Sequence, residues 1–520
     1  MEVVMTVLKE RAAKPSVLFV DPTALAAVDE QPEFFKDLHL DEILDVILAG
    51  YEEYGLRPLF YQPLGDVDAV RYRHEVFRDL QDAGIREAVD AFTAALRDMR
   101  NAFAMSEKLS YPQQKQRWFL DAALIYCNAV ASLARRFSRM PLGSRGLQAL
   151  ADYLQGYVAS PAFTRLARDA RSVSDALAGV RYAVHIKGSQ VRVQRYAGEP
   201  EYSAEVTETF ARFQQRTGAD YRVTFSESAY MDHVEARIAD LVAALYPAEF
   251  TALVTFTEVH ADFLDPVVAA FDRDIHFYLA YLRHVERLTR GGLPFCYPEL
   301  STTSKETVVR GGYDLALAMT RDGEPGAIVG NDFSLDGGER VIVVTGPNSG
   351  GKTTFARMFG QVHYLASLGL PVPARAARLF LPDRVFTHFE REEQLATLRG
   401  KLDDELVRLR DILAHATARS VIVMNESFSS TALRDARYLG AEILRRVLGL
   451  DAIGVYVTFV DELASIDGRI VSMVGIVDPR DPARRTYRFE RRPADGRAYA
   501  LAVAAKYGLT YEQLRRRVAS

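Results

Sequence analysis

A glycine-rich segment limits what this chain can fold into more than any other feature of the sequence. It satisfies the pattern G-x-x-x-x-G-K-[ST] with Gly346, Pro347, Asn348, Ser349, Gly350, Gly351, Lys352 and Thr353. The apolar run Val341 to Val344 precedes it, and apolar residues at helical spacing follow it from Phe355 onward. The pattern predicts a buried strand, a tight loop and a helix, with loop N–H groups around phosphate oxygens. Lys352 is expected to contact the β and γ phosphates, and the Thr353 hydroxyl to ligate Mg²⁺.

Further β-branched runs indicate that this loop belongs to an α/β domain. Val421 to Met424 and Val455 to Thr458 are short apolar runs separated by helical stretches, as in a largely parallel sheet. Asn425 and Glu426 follow the first run, where phosphate-transferring proteins place acidic side chains. Glu426 is predicted to position or deprotonate a water, and Asn425 to support the metal weakly because an amide is uncharged. A degenerate site that binds nucleotide without hydrolysing it stays open.

The part of the chain before residue 300 is predicted to be mainly helical. Apolar positions recur at helical spacing, for example from Phe35 to Tyr51 and from Phe271 to Leu282. Val180 to Tyr196 departs from this pattern, because it alternates apolar and polar residues on both sides of Gly188, as an antiparallel hairpin does. We therefore predict a helical region over 1–300 with a hairpin insertion near 180–230, and an α/β domain over 301–520.

Composition narrows the class of protein further. The net charge of −5 excludes a polycationic chain, although 479–520 hold eleven Lys or Arg against four Asp or Glu, a basic stretch that could meet phosphates. Cys127 and Cys296 are too few for a disulfide framework or a zinc site. Apolar runs fall short of the roughly 18 residues that a membrane span needs, and Met1 to Lys9 lack a signal-peptide pattern. We expect a cytoplasmic protein without a membrane segment.

Several segments resemble the MutS mismatch-repair family. Thr345 to Thr354 is similar to the family's T-G-P-N-M-G-G-K-S-T loop, and the Pro-Asn pair separates it from most phosphate loops. Leu379 to Thr387 is similar to the stretch that ends in D-R-I-F-T, and Glu405 falls on the Glu of S-T-F-x-x-E. Tyr499 to Ala505 resembles Y-G-L-A-V-A, and Ile328 to Asp332 resembles the stretch that lies against the adenine, with Ile328 and Asn331 as candidate contacts.

The resemblance implies an ABC-type ATPase that uses ATP and Mg²⁺ and works as a head-to-tail homodimer with helical levers and clamps closing on DNA. Glu426 would be the catalytic carboxylate, and Lys352, Thr353 and Thr354 would bind the phosphates. The loop Arg399, Gly400 and Lys401 would act in trans on the partner's nucleotide, and a helical dimerisation element would follow near the C-terminus. The similarity begins near the family's core region, so we expect a form without the N-terminal mismatch-reading domain.

The sequence also departs from the family around this one site. Phe459 stands at the position of the family's switch His, and Gly400 at the Ser of the trans-acting loop. The signature D-E-x-G-R-G-T-S reads Asn425 to Ala432, with Asn for Asp and Phe428 for the first Gly. These departures predict a slow or re-specialised ATPase.

Other candidate residues are open to more than one interpretation. Tyr297, Tyr313 or His388 could face the nucleotide base, or could simply be packing residues. Asp403, Asp404 and Glu405 are consecutive helical positions that point in different directions, so a solvated face is favoured over a metal cluster. Arg192 and Arg195 at the hairpin could contact DNA or serve solubility.

The sequence and this resemblance together predict a MutS-like ATP-binding protein and slow ATPase whose dimer closure clamps DNA in repair or recombination without direct mismatch reading. The alternative is a nucleotide-sensing scaffold that dimerises on ATP, does not hydrolyse it and recruits a protein partner. A small-molecule kinase is disfavoured, because no acceptor pocket or lid motif is visible in the sequence.

Overall fold

Two groups of residues form separate compact units. The computed structural model describes residues 15–21, 30–188, 190–199, 231–321, 326–390, 400–478, 480, 485–494 and 515. The first unit comprises Met1–Asp79, Gly143–Leu147 and Arg273–Ser520, and the second comprises Leu80–Leu142 and Gln148–Asp272. The first unit therefore contains residues from both sides of position 300. The domains 1–300 and 301–520 stay a prediction from apolar periodicity.

Helices dominate the chain up to the first strand, as the apolar periodicity predicts. Their bounds are α1 Phe34–Asp37, α2 Leu40–Leu48, α3 Val67–Asp79, α4 Ala83–Lys108, α5 Pro112–Phe137, α6 Arg145–Val158 and α7 Pro161–Ala178. Local chemistry fixes where the long helices begin. The Asp82 carboxylate accepts hydrogen bonds from the first N–H groups of α4, and Pro112 occupies the first position of α5, where a missing N–H costs nothing.

The predicted antiparallel hairpin is present in the second unit. Strands β1 Tyr182–Lys187 and β2 Gln190–Arg195 pair in register from Tyr182 opposite Arg195 to Lys187 opposite Gln190. Helices α8 His233–Leu245, α9 Pro247–Val259 and α10 Pro266–Arg290 follow. In the part of the chain that the structure describes, no single helix is long and apolar enough to cross a membrane; α8 and α9, bent by 105°, pass that test only as a pair.

The Arg195 guanidinium is engaged within the second unit. Its Nε donates to the Leu245 carbonyl oxygen at 3.1 Å, and its carbon lies 4.7 Å from the centre of the Tyr246 ring. Arg195 therefore ties the hairpin to the end of α8, which competes with the DNA contact considered from the sequence.

The rest of the chain alternates strands and helices. The bounds are β3 Glu299–Ser301, β4 Thr307–Gly312, α11 Leu315–Thr320, β5 Asn331–Leu335, β6 Val341–Thr345, α12 Lys352–Ser367, β7 Ala376–Phe380, β8 Val385–Phe389, α13 Lys401–His415, β9 Val421–Asn425, α14 Leu433–Gly449, β10 Ile453–Val457, β11 Ile470–Val477 and β12 Arg485–Arg491. The strands form a six-stranded sheet of order β12-β11-β6-β10-β9-β8 and a four-stranded sheet of order β3-β7-β4-β5.

The six-stranded sheet is parallel except at one edge. Strands β11, β6, β10, β9 and β8 run in the same direction, and β12 pairs antiparallel with β11. All residues of β6, β9 and β10 are buried, which confirms the three predicted apolar strands. Because the carboxyl ends of parallel strands share one edge, the segments after β6 and β9 reach the same side of the sheet, where ligands of such sheets bind.

Residues before α4 pack against the helix that follows the glycine-rich loop. Gln361, buried in α12, donates to the Leu38 carbonyl oxygen at 2.9 Å, and the Tyr364 hydroxyl donates to the Phe60 carbonyl oxygen at 2.7 Å. The buried Arg73 donates from Nη1 to the Leu368 carbonyl oxygen at 2.7 Å. These contacts place the described residues 30–79 in the same unit as the sheet.

Candidate functional site

The glycine-rich loop leaves β6 in a backbone conformation that requires glycine. Gly346 has φ of 132°, and a Cβ at this residue would lie 3.0 Å from the Gly475 backbone nitrogen on β11. Gly351 has φ of 89° directly before α12, and Ser349 between them has φ of 56°. Thr353 and Thr354 lie in the first turn of α12. The loop therefore has the strand–loop–helix geometry that the sequence predicts, with the helix N-terminus at the loop, where backbone N–H groups attract anions.

Lys352 is the first residue of α12, and its buried side chain folds back onto the loop. Its Nζ is 3.3 Å from the Gly346 carbonyl oxygen, 3.4 Å from the Pro347 carbonyl oxygen and 3.2 Å from Asn348 Oδ1. Burial lowers the pKa of Lys352, and the nearby Glu426 carboxylate opposes this shift. The ammonium group is thus held by loop oxygens at the place where the motif puts phosphate.

Asn425 and Glu426 lie at the carboxyl end of β9, opposite the loop. The Glu426 N–H donates to the Val457 carbonyl oxygen at 2.9 Å, and Glu426 Oε1 is 3.7 Å from Lys352 Nζ. The Glu426 side chain keeps 35% of its surface exposed, so a water can reach it. Asn425 is buried, and its Oδ1 has no hydrogen-bond partner among the residues described here. The structure thus brings Lys352 and Glu426, two of the candidate site residues, close to each other.

The segment after Glu426 is held by buried polar contacts. His388 Nδ1 lies 2.7 Å from Ser427 Oγ, and the Phe428 N–H donates to Glu405 Oε2 at 2.8 Å. Glu426 and Phe428 have φ of 52° and 66°, the left-handed region that costs a non-glycine residue roughly 1–2 kcal/mol. The Phe428 side chain is fully buried in the core beside β9, which offsets this cost.

The prediction that Glu405 belongs to a solvated face is wrong. Asp403 is exposed, but Glu405 is only 4% exposed, because α13 turns it toward the segment after β9. Burial raises the pKa of Glu405, and the hydrogen bond from Phe428 opposes that shift. Glu405 therefore positions the backbone beside Glu426.

A cavity of about 420 Å³ opens beside the loop. Its wall is formed by three stretches and two distant residues: Gly312, Tyr313, Asp314, Leu317 and Arg321; Ala327, Ile328, Val329 and Asn331; Ser349, Gly351 to Phe355 and Met358; Glu426 and Tyr487. This volume is within the range of small-molecule sites in proteins, roughly 300–1,000 Å³. The predicted nucleotide contacts Ile328 and Asn331 both lie in this wall.

The Asn331 amide is already used within the protein. Its Nδ2 donates to the Tyr487 carbonyl oxygen at 3.0 Å, and its Oδ1 accepts from the Phe489 N–H at 2.9 Å. Asn331 therefore fixes the backbone of β12 at the edge of the cavity. Sequence reasoning missed Tyr487, Asp314 and Leu317 as wall residues, since none of them is close to a motif.

Of the three aromatic candidates, Tyr313 alone lines the cavity. Tyr297 packs instead against the His74 ring, with centroids 5.2 Å apart, and His388 contacts Ser427. Gly400 and Lys401 begin α13, and Lys401 forms an ion pair with Glu390. Arg399, Tyr499 to Ala505, the C-terminal dimerisation element and most of the basic stretch lie outside the described residues.

The candidate metal ligands fit Mg²⁺ through neutral oxygen atoms. The unpartnered Asn425 Oδ1 and the Thr353 hydroxyl at the start of α12 are oxygen donors, the type that Mg²⁺ prefers, and Mg²⁺ commonly keeps several waters and phosphate oxygens as well. No group of three or more His, Cys, Asp or Glu side chains able to hold a metal occurs within the described ranges. Burial raises the pKa of the Cys127 thiol to about 12 and that of the Cys296 thiol to about 11, which favours the neutral thiol at both residues.

The fold and the site together define an α/β domain in which a glycine-rich strand–loop–helix turn faces a carboxylate. Comparison with known proteins gives the family. Residues 342–513 match the model of MutS domain V. This region, about a third of the chain, is therefore related to MutS domain V.

Three relatives that match the chain are much longer than the matched region. The chain is similar to DNA mismatch repair protein MutS of Ruminiclostridium cellulolyticum, with 29% identity over 34% of the chain and 20% of the relative. It is also similar to the proteins of the same name from Granulibacter bethesdensis, 30% identical over 42% of the chain and 23% of the relative, and Symbiobacterium thermophilum, 34% identical over 36% and 22%. The chain thus matches about a fifth to a quarter of these relatives.

Proposed function

We propose that the chain binds ATP with Mg²⁺ in the cavity beside the glycine-rich loop, as an ABC-type P-loop ATPase domain. The observation that carries the proposal is the position of Lys352 Nζ, held by three loop oxygens within 3.4 Å and lying 3.7 Å from Glu426. A triphosphate on the loop amides would attract this ammonium group away from the loop oxygens. The remaining ligand would extend into the cavity along Thr353, Thr354 and Ile328.

Hydrolysis is proposed to depend on Glu426 and to be slow. The half-exposed Glu426 carboxylate can orient a water or accept its proton, while Lys352 stabilises negative charge on the phosphates. Bound Mg²⁺ would supply further charge stabilisation on the phosphate oxygens. Asn425 adds no negative charge to the metal site, and Phe459, 44% exposed, offers no hydrogen bond to a γ phosphate. Both substitutions favour weak turnover.

We further propose that ATP binding closes a homodimer around DNA. The relatives are named DNA mismatch repair proteins, and family membership supports DNA binding and pairing at a coarse level. Arg399, Gly400 and Lys401 would contribute to the partner's nucleotide site. The role would lie in repair or recombination without direct mismatch reading.

A second candidate function is a scaffold that binds ATP without hydrolysing it and recruits a protein partner. The neutral Asn425 and the exposed Phe459 favour it, because both remove groups that act on the metal or the γ phosphate.

Single-turnover hydrolysis, ATP calorimetry and oligomeric state with and without ATP separate these functions. Lys352→Ala is expected to weaken ATP binding, and Glu426→Ala to abolish hydrolysis while binding persists. Lys36→Ala, which removes an exposed lysine of the same unit, is the control and should behave as wild type. ATP-induced dimers without turnover would favour the scaffold, and no heat with ATP and Mg²⁺ would remove both functions.

DNA binding requires its own experiment. Contacts between basic side chains and DNA phosphates weaken steeply as salt rises, because binding releases counterions. Filter binding of duplex DNA should therefore fall between 50 and 200 mM salt, roughly the range over which phosphate contacts are commonly compared. Undetectable binding at low salt would remove DNA from the proposed function.

A further inference from the structure

Arg485 lies at the start of the antiparallel edge strand of the six-stranded sheet. It is the first residue of β12 and pairs with Val477, the last residue of β11. On the other side of β11, Val474 pairs with Thr345, the last residue of β6, so Val477 lies three residues beyond the end of β6. The glycine-rich loop leaves the sheet at this same edge. Arg485 therefore lies beside the loop, at the end of the sheet where ligands of parallel sheets bind.

Both ends of the glycine-rich loop contact β11 and β12. A Cβ on Gly346 would lie 3.0 Å from the Gly475 nitrogen on β11. A Cβ on Gly351 would lie 3.4 Å from Cδ1 of Tyr487, which follows Arg485 by two residues on β12. The loop is therefore packed against the pair of strands that carries Arg485.

Arg485 and Glu426 lie on opposite sides of the loop. In the sheet, β11 and β12 lie on one side of β6, whereas β10 and β9 lie on the other. Glu426 follows β9, and Arg485 begins β12. A ligand on the loop would therefore lie between these two residues.

The Arg485 guanidinium is near enough to the Lys352 ammonium group to affect it. Burial lowers the pKa of Lys352, and the positive charge of Arg485 lowers it further, whereas Glu426 and Asp461 oppose the shift. Two like charges beside one loop repel each other, and a polyanion between them attracts both. Arginine suits such a ligand because its guanidinium is always charged and presents a planar fork of N–H donors that matches phosphate.

We propose that Arg485 binds the phosphate chain of the nucleotide from the side of the loop opposite Glu426. The inference rests on the proposed nucleotide binding and adds a second cation to Lys352. Arg485 is partly exposed and is not among the described residues of the cavity wall, so its side chain turns toward the loop when phosphates bind. The phosphate-loop pattern gives no sign of this residue, because Arg485 lies far from the loop in the sequence.

Calorimetry with Mg²⁺–ATP and with inorganic tripolyphosphate tests this contact. Arg485→Gln removes a charged donor to phosphate and should therefore bind both ligands about 10- to 150-fold more weakly than the wild type. Arg485→Lys keeps the charge but loses the fork, so its affinity should lie between those of Arg485→Gln and the wild type. Arg488→Gln removes an exposed arginine of the same strand, and with it the same charge. It is the control and should bind both ligands as the wild type does.

Three results would overturn the inference. Affinities within about twofold of wild type in Arg485→Gln would show that the guanidinium does not touch the phosphates. An equal loss in Arg488→Gln would show that only the net charge of the protein matters. A loss for ATP without a loss for tripolyphosphate would put the contact on the nucleoside instead of the phosphates.

Chemical modification tests the contact in the wild type, where the folding of a variant has no influence. Phenylglyoxal reacts with accessible guanidinium groups, and mass spectrometry gives the rate at each arginine. Bound tripolyphosphate should slow the reaction at Arg485 and leave the reaction at Arg488 unchanged, and an unchanged rate at Arg485 would contradict the inference. If the wild type gives no heat with ATP, the proposed nucleotide binding fails first. That result is distinct from a wild type that binds ATP and an Arg485→Gln variant that binds it equally well.

Discussion

Replacing Gly346 by alanine should damage both the fold of the first unit and the proposed nucleotide site. The φ of 132° lies outside the range of residues with a side chain, which costs roughly 1–3 kcal/mol. The new Cβ would also lie 3.0 Å from the Gly475 nitrogen and 3.1 Å from its Cα. These atoms cannot move easily, because β11 pairs with β6 on one side and β12 on the other. Forcing such a contact adds about 1–3 kcal/mol. We therefore expect Gly346→Ala to lower the free energy of unfolding by about 2–6 kcal/mol.

Urea denaturation of the full chain, followed by ATP calorimetry on the folded variant, tests this expectation. Gly337→Ala is the matched control, because its Cβ would meet nothing within 4 Å and its φ is ordinary. That control should be unchanged or more stable by about 0.4–1 kcal/mol. The reasoning is refuted if Gly346→Ala has the same urea midpoint as Gly337→Ala and binds ATP equally well.

Substitutions at three further residues test the roles of individual side chains. Asn425→Asp should lower the Mg²⁺ concentration for half-maximal single-turnover hydrolysis by about tenfold, or ~1.4 kcal/mol. The reason is that a carboxylate replaces an amide oxygen that has no hydrogen-bond partner among the described residues. An unchanged Mg²⁺ titration would contradict this prediction. Glu405→Ala should slow hydrolysis about tenfold without weakening ATP binding, since it frees the Phe428 N–H, and Glu405→Gln should restore the rate by keeping an acceptor oxygen. Burial lowers the pKa of His363 to about 4, so the folded chain favours the neutral ring. Protonation of this residue in the unfolded chain should therefore lower the free energy of unfolding as the pH falls from 6.5 toward 4, by about 3 kcal/mol in total. Urea denaturation at pH 7 and pH 5 should show that His363→Leu does not lose this stability. If the variant and the wild type lose the same stability at pH 5, other groups cause the acid sensitivity.

Local sequence patterns predicted the elements around the loop well. The sequence specifies β6 by four consecutive apolar residues, the loop by the G-x-x-x-x-G-K-T segment and α12 by the amphipathic stretch that follows. The predicted positions agree with the observed elements within a few residues. The same reasoning found β9 and the place of Glu426, because buried parallel strands are short β-branched runs.

Contacts between distant segments were beyond this reasoning. Tyr487 reaches the cavity because β12 pairs antiparallel at the edge of the sheet and because Asn331 bonds its backbone, and neither fact appears in local spacing. Glu405 was misplaced for the same reason, since helical spacing shows which residues share a face but not which face is covered. The composition of the first unit was also beyond local patterns, because it depends on buried hydrogen bonds between distant residues, such as that from Gln361 to Leu38.

The buried ring of Phe428 has a consequence for how the protein responds to heat. The Phe428 ring is buried in the core. The Phe428 backbone, two residues after Glu426, has a left-handed conformation that is unfavourable for a residue with a side chain. Any loosening of that interior lets the backbone relax and carries the Glu426 carboxylate with it. On warming, activity should therefore decline at a lower temperature than the one at which the sheet unfolds, because the position of the Glu426 carboxylate depends on the packing of the core.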